Sequence, residues 1–280
     1  MKKVLIVMPV YITYDLHLEF TKQTIESIHK ANHTNHDYKI FTVVSYCKTE
    51  FKKQLEELTS GQIIKYNDIN GVSIAWNTGI KYGIEEKYNY IIIINNDIIF
   101  HPDSFDNLVN FADKYDASIW TGAEWKGKDS VESRLAIRDN LKNITYTNDF
   151  DEHPHFSFFM MTPQSVSKLK SMEDNTREPY PGLFDENFAP AYFEDGDMHQ
   201  RILRLGLKAY HSAASLFYHW GSRTIKVDEN LGVQNNKSYE KNRQYFISKW
   251  GFDPHSRVVE NDAKERFKFK EPFEKLKINK

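Results

Sequence analysis

The chain has 280 residues, 40% of them hydrophobic and 14% aromatic, enough to bury one large core or two modest ones. A formal net charge of -2 supplies no global basic field, which argues against nucleic acid as a main partner and leaves small-molecule chemistry as the expected class. The lone Cys47 cannot form an internal disulfide, no run reaches the roughly 20 apolar residues of a membrane span, and Met1-Lys2-Lys3 leads directly into a strand-like run, so a soluble, cytoplasmic protein is expected.

Val4 to Val10 reads as a buried strand that stops at Pro9-Val10-Tyr11, and the turn feeds a helix through Leu18 to Lys30. Tyr38 to Tyr46 is a second strand, Phe51 to Leu58 a helix with apolar residues at 51, 55 and 58, and Gln62 to Tyr66 a short third strand. Asn70-Gly71 marks a turn before a helix that begins near Ser73 and is expected to end at Gly83. Tyr90-Ile-Ile-Ile-Ile-Asn-Asn-Asp97 then gives an unbroken apolar strand ending in polar groups, the pattern of a parallel strand covered on both faces. Strands alternating with helices predict right-handed crossovers and a mostly parallel sheet with helices on both faces, whose ligands bind at the carboxyl ends of the strands.

Farther on, His101-Pro102-Asp103 precedes a helix through Tyr115, Ala117 to Gly122 is a strand, and Trp125 to Phe150 reads as a variable loop or lid. Phe156 to Thr162 is an apolar strand with a helix after Pro163, and a helix runs from the acidic knot Phe193-Glu-Asp-Gly-Asp197 to Leu205. Leu207 to His211 and Ala214 to His219 suggest two added strands. No internal repeat or low-complexity block is visible.

The chemistry-bearing groups are two acidic clusters and one histidine. Asp97, beside Asn95 and Asn96 at a strand end, either binds a hard divalent cation such as Mg²⁺ or Mn²⁺ or caps the following turn. Glu194, Asp195 and Asp197 crowd three carboxylates into four positions, which raises pKa values and can furnish a general base, although acidic residues also suit the first turn of a helix. Asp197 and Arg201 stand at i and i+4 and pair on one helix face, leaving Asp195 as the preferred base. His219 could add an imidazole to the same metal, and Arg223 suits phosphate.

These motifs, in this order, resemble the nucleotide-sugar glycosyltransferases of family 2, which have the GT-A fold. The pieces are Val-Met-Pro-Val-Tyr11, Asn70-Gly-Val-Ser-Ile-Ala-Trp-Asn-Thr-Gly79, Ile-Asn-Asn-Asp97, Gly182-Leu-Phe-Asp-Glu-Asn-Phe188 leading into Phe-Glu-Asp-Gly-Asp197, and His219, spanning Val4 to about Arg223. The resemblance implies an α/β, Rossmann-like domain over 1–225, with a nucleotide-binding half at 1–100 and an acceptor half at 101–225, followed by a C-terminal helical extension at 226–280. It implies that Asp97 and His219 hold the metal and that Asp195 deprotonates the acceptor hydroxyl in an inverting transfer. Asn95 stands where the metal motif usually opens with Asp, and with Asn96 it would bond ribose or phosphate. Pro9, Tyr11, Asn70, Gly71 and Asn77 match segments around the nucleotide. Ser45-Tyr46-Cys47 stands where many members place an Asp against base or ribose, so Ser45 faces the nucleotide and the base stays open.

Trp125, Tyr192 and Glu194 are the expected acceptor contacts, since aromatic faces stack on sugars, whereas Trp76 is read as core. Ala263 to Lys280 alternates Lys or Arg with Phe and Leu and reads either as a solvated terminal helix or as peripheral membrane contact with anionic lipid. Two other functions fit the same fold class. A sugar-1-phosphate nucleotidyltransferase would need a Gly-rich basic loop after the first strand, where this chain has Val10-Tyr-Ile-Thr-Tyr14. A catalytically silent carbohydrate-binding module would not need Asp97, Asp195 and His219 together.

Overall fold

The computed structural model describes residues 1–33, 35–67, 71–124, 156–170, 183–221 and 229–254. Its eight-stranded sheet consists of β1 Lys3–Ile12, β2 Asp37–Cys47, β3 Ile63–Tyr66, β4 Tyr90–Ile94, β5 Ile98–Phe100, β6 Ile119–Glu124, β7 Phe158–Met161 and β8 Ala209–His219. The strand order is β3-β2-β1-β4-β7-β6-β8-β5. β3, β2, β1 and β4 run parallel, as the alternating pattern predicts, and β7 pairs antiparallel with both β4 and β6. β8 is parallel to β6 and antiparallel to the edge strand β5.

The helices are α1 Asp15–His29, α2 Thr49–Leu58, α3 Val72–Glu85, α4 Ser104–Lys114, α5 Pro163–Lys170, α6 Glu194–Arg204 and α7 Glu229–Trp250. Side chains alternate across a strand, so β1 feeds two cores. Val4, Ile6, Met8, Val10 and Ile12 pack with Ile25 and Ile28 of α1, Leu55 of α2 and Leu108 of α4. Leu5 and Val7 face the other way, onto Trp76 and Ile80 of α3, Leu169 of α5 and Ile202 of α6. β4 contributes to both sets, which is why its four isoleucines carry no polar residue between them. Trp76 is core as expected, edge-on to Phe159 and Phe184 at 5.5 and 4.8 Å.

Two expectations about elements change. α3 does not end at Gly83 but continues to Glu85. Gly83 and Gly79 are there for close packing: a Cβ at 83 would meet Ile91 at 2.7 Å, and one at 79 would meet Val7 Cγ1 at 2.2 Å. The two short strands expected between Leu207 and His219 are one strand, β8, interrupted by an irregularity where Ser212 pairs with Gly122 but Leu216 pairs with Ala123. The bulge brings the Ser215 carbonyl to 2.6 Å from where a Cβ at Gly122 would stand, so only glycine fits.

α1 carries an unusual buried stripe of Thr21, Thr24 and Ser27. β5 is an edge, and its outward N–H groups need acceptors. Ile98 N donates to Thr24 Oγ1 at 3.0 Å and Phe100 N to Ser27 Oγ at 3.3 Å, so the helix closes the edge with hydroxyls. Among the described residues, no helix is long and apolar enough to cross a membrane.

Candidate active site

β4 ends at Ile94, and after three intervening residues β5 begins beside β8, with Ile98 opposite His219. That register sets the first cluster. His219 Nε2 lies 3.0 Å from Asp97 Oδ1, and Trp220 N donates to the Asp97 carbonyl at 3.0 Å. Asp97 is 4% exposed. The other ring nitrogen of His219 is 3.4 Å from Ser157 Oγ, and the Ser157 carbonyl accepts from Asn95 N at 3.0 Å. Ser157 was not anticipated. It precedes β7, and the pairing of Ile94 with Phe158 places it next to Asn95. Asn96 turns elsewhere, its Nδ2 donating to Thr21 Oγ1 of α1 at 2.9 Å, which fixes the turn between β4 and β5.

A carboxylate oxygen and an imidazole nitrogen, both beside a strand end, form a donor pair suited to Mn²⁺ or Mg²⁺. Among the described residues no third His, Cys, Asp or Glu joins a metal-binding group. The donor chemistry of the pair fits the group.

Pro9 and Tyr11 are half-buried at the carboxyl end of β1, and Ser45 is buried at the end of β2. A register shift after Val10 sets Tyr11 opposite Tyr46, with ring centroids 5.4 Å apart, and Tyr46 is 43% exposed. Gly71 precedes α3, where a Cβ would come within 3.0 Å of Ile74 and 3.4 Å of Ala189. Next to it, Val72 N donates to the Pro190 carbonyl at 2.9 Å. Asn77 is buried, and its amide is engaged by the protein. Oδ1 accepts from Leu183 N and Phe184 N, both at 2.8 Å, and Nδ2 donates to the Phe184 carbonyl at 2.8 Å and to Glu186 Oε1 at 2.9 Å. α3 is thus tied at two points to the strap that leads into the acidic knot. Asn70 and Trp125 lie outside the described residues.

The second cluster opens α6. Tyr192 and Phe193 immediately before it have φ of 81° and 71°, left-handed values that cost non-glycine residues on the order of 1–3 kcal/mol each. Glu194 is buried, and burial first, then the charges of Asp195 and Asp197, push its carboxyl well above the usual carboxylate range. Asp195 is exposed, and its Oδ1 accepts from Gly196 N at 2.7 Å. Asp197 is wholly buried and pairs with Arg201 at 2.9 Å, as the i,i+4 spacing predicts. It also takes Lys249 Nζ at 2.7 Å and Trp250 Nε1 at 3.0 Å. Lys249 reaches Asp185 at 2.7 Å as well, and Tyr245 OH donates to Asp185 at 2.8 Å. Tyr192 is half-buried, its ring 5.2 Å from Tyr239 of α7. Asp197 therefore belongs to an interior ion network, and Asp195 alone of the three carboxylates is exposed. A cleft of about 670 Å³ between α1 and α2, lined by Leu16, Lys22 and Gln54 among others, holds none of these residues.

Comparison with known proteins fits a sheet that presents such groups at its carboxyl edge. The family model described as glycosyl transferase family 2 matches residues 5–170, more than half of the chain. The chain belongs to glycosyl transferase family 2. Within this glycosyltransferase family it is 37% identical, over 214 residues and 66% of its length, to a galactofuranosyl glycosyltransferase of Leishmania donovani. It spans about half of that relative, 48%. A mannosyltransferase from Pyrobaculum calidifontis, solved in complex with GDP-mannose and Mn²⁺, superposes with a TM-score of 0.58 over 94% of this chain and 69% of its own, at 12% identity. At that identity the likeness is one of fold, and it identifies the architecture as GT-A. The family match ends before α6, β8 and α7, so Asp195 and His219 lie beyond it.

Proposed function

We propose that this glycosyltransferase moves a sugar from a nucleoside-diphosphate sugar to a hydroxyl acceptor on a glycan, glycolipid or glycoprotein, with a divalent ion and inversion at the anomeric carbon. The observation that carries the reading is the meeting of Asp97 and His219 at 3.0 Å, 122 residues apart in sequence, at the polar end of the isoleucine strand. When bound there, Mn²⁺ or Mg²⁺ supplies Lewis-acid neutralisation of the diphosphate.

The chain's own groups do the rest. Asp97 would offer a carboxylate oxygen and His219 a ring nitrogen to the ion, with Ser157 Oγ beside the other ring nitrogen to orient it. Pro9, Tyr11 and Ser45 border the donor at the ends of β1 and β2, and Asn95 offers its amide to ribose or phosphate. Asp195, exposed at the start of α6, removes the acceptor proton as the acceptor oxygen attacks the anomeric carbon and the diphosphate leaves from the opposite face. Glu194, whose carboxyl burial pushes well above the usual carboxylate range, lines the acceptor side with Tyr192 while Asp195 acts as the base. Positioned base catalysis contributes about 10²- to 10⁴-fold, so Asp195→Asn should lose most turnover and keep donor binding.

A thermal-shift screen of nucleoside diphosphates and their sugars, including GDP-mannose and a galactofuranosyl donor, with and without Mn²⁺, tests the reading. Specific binding raises the midpoint by mass action, about 2.7 kcal/mol of stabilisation at 100 times Kd. A metal-dependent shift with one diphosphate, lost in Asp97→Ala, is expected. No shift with any nucleotide refutes the donor site and favours a carbohydrate-binding module.

A further inference from the structure

α7 lies wholly beyond the matched family segment. Tyr239, Asn242, Phe246 and Trp250 recur along it at intervals of three and four and so share one face. That face meets the strap from Phe188 to Phe193. Asn242 is wholly buried, and its Nδ2 group donates to the carbonyl oxygens of Phe188 at 2.6 Å, Ala191 at 2.9 Å and Tyr192 at 3.4 Å. The Tyr239 ring lies 5.2 Å from Tyr192 and 4.9 Å from Phe193, and Phe246 is 6.0 Å from Phe193. Lys249, its side chain 2% exposed, joins Asp185 before the strap to Asp197 after it.

Left-handed backbone at two successive bulky residues persists only where the surroundings over-determine it. Here α7 supplies side-chain contacts on both residues and three hydrogen bonds to the strap, beside the α3 contact at Pro190. Asp195 follows Phe193 by two positions, so the placement of its carboxylate is inherited from this turn.

We propose that α7 sets the position of Asp195, with Asn242 pinning the turn and Tyr239 bracing it. The inference rests on the reading of Asp195 as general base and adds the cause of its placement. A base must come within about 2.6–3.2 Å of its proton, and a displacement of about 1 Å costs on the order of 10²-fold in rate. The proposed metal and donor groups sit on β1, β2, β8 and the turn between β4 and β5, so loss of the Asn242 amide slows proton removal and leaves donor binding in place.

The test compares the full chain with Asn242→Ala, Asp195→Asn and the double variant, measuring kcat, donor KM and donor affinity with Mn²⁺. Asn242→Ala is expected to lower kcat about 10- to 100-fold with donor affinity changed by less than about threefold. In the Asp195→Asn background it should cost almost nothing further, because residues acting through one group are not additive. Tyr239→Leu, which trims a half-buried ring and removes none of the Asn242 hydrogen bonds, should show the same split of kcat from KM at smaller size.

Unchanged kcat in both variants overturns the proposal, and so does donor affinity falling in step with kcat. Losses that multiply in the double variant, with Asp195→Asn itself inactive, overturn the positioning role alone. Normal turnover by Asp195→Asn removes the base assignment and the proposal with it.

Discussion

Asn77 offers a sharp test of how α3 and the strap are joined, because its amide uses both its accepting and its donating ends. In Asn77→Ala the Leu183 and Phe184 N–H groups lose their acceptor in a buried setting, at about 1–3 kcal/mol each, and the bonds to the Phe184 carbonyl and Glu186 disappear as well. A total of about 3–5 kcal/mol is expected, a large part of the 5–15 kcal/mol typical of a domain. Asn77→Asp, nearly isosteric, retains the two accepted bonds but turns an oxygen toward the Phe184 carbonyl and the Glu186 carboxylate, where Nδ2 now stands at 2.8 and 2.9 Å. At pH 8 it should therefore be at least as damaging as Ala. Burial and the neighbouring acid raise the introduced carboxyl's pKa in the folded state, so its protonated form favours folding below the ordinary Asp range. That advantage is lost as pH rises through the raised value. Urea unfolding at pH 8 and pH 5 measures both variants, and Asn77→Asp should recover at pH 5 while Asn77→Ala should not. If Asn77→Asp is milder than Asn77→Ala at pH 8, or insensitive to pH, the hydrogen-bond assignment is wrong.

Gly79→Ala would gain about 1 kcal/mol of helix propensity but place a methyl 2.2 Å from Val7 Cγ1, so a net loss of about 1–3 kcal/mol is expected, relieved in part in Val7→Ala/Gly79→Ala, whose Cβ at position 7 stays 2.9 Å away, as denaturant melts of the single and double variants would show. Glu194 has its folded pKa raised, so it favours the folded state at acid pH and loses that contribution as pH climbs above about 4.3. Glu194→Gln should accordingly melt above the parent at pH 8 and with it at pH 4, by calorimetry, and equal midpoints at pH 8 would contradict a buried neutral acid. Ser157→Ala removes a hydroxyl beside His219 Nδ1 and is expected to weaken Mn²⁺ binding about 10-fold, read by titration of free Mn²⁺ in the absence of substrate.

The parallel half of the sheet was legible because its central strands are buried on both faces. β1 and β4 appear as unbroken apolar runs, and Asp97 is conspicuous because it ends one of them. The i,i+4 spacing of Asp197 and Arg201 likewise marked a pair that forms. His219 could be offered from the sequence only as a candidate partner of Asp97, since their meeting depends on β5 and β8 lying antiparallel at an edge that no local pattern announces. Asn77 has partners that its motif does not announce. Its motif suggests a nucleotide contact, but the residues its amide grips, Leu183, Phe184 and Glu186, are more than a hundred positions away and mostly contribute backbone.

The helical extension was expected, but the buried face of α7 was hidden for a physical reason that applies beyond this chain. Periodicity finds a helix face when the face is apolar, and this one mixes Phe246 and Trp250 with Asn242 and Lys249, between exposed Lys237 and Glu240 and half-buried Arg243. The polar members are there because the surface they cover is itself polar: backbone carbonyls of a turn that cannot pair within a helix or sheet, and two buried carboxylates. The same holds for α1, where Thr21, Thr24 and Ser27 face the β5 edge and the adjoining turn, and a purely apolar face would leave strand N–H groups unpaired. In both helices the buried hydroxyl or amide lies where regular backbone pairing stops. Those are also the places where a sheet edge or a strained turn holds functional side chains, Asp97 beside α1 and Asp195 beside α7. A polar residue inside an otherwise amphipathic helix face is thus a sequence signal for what that helix must satisfy, and here it leads to both halves of the site.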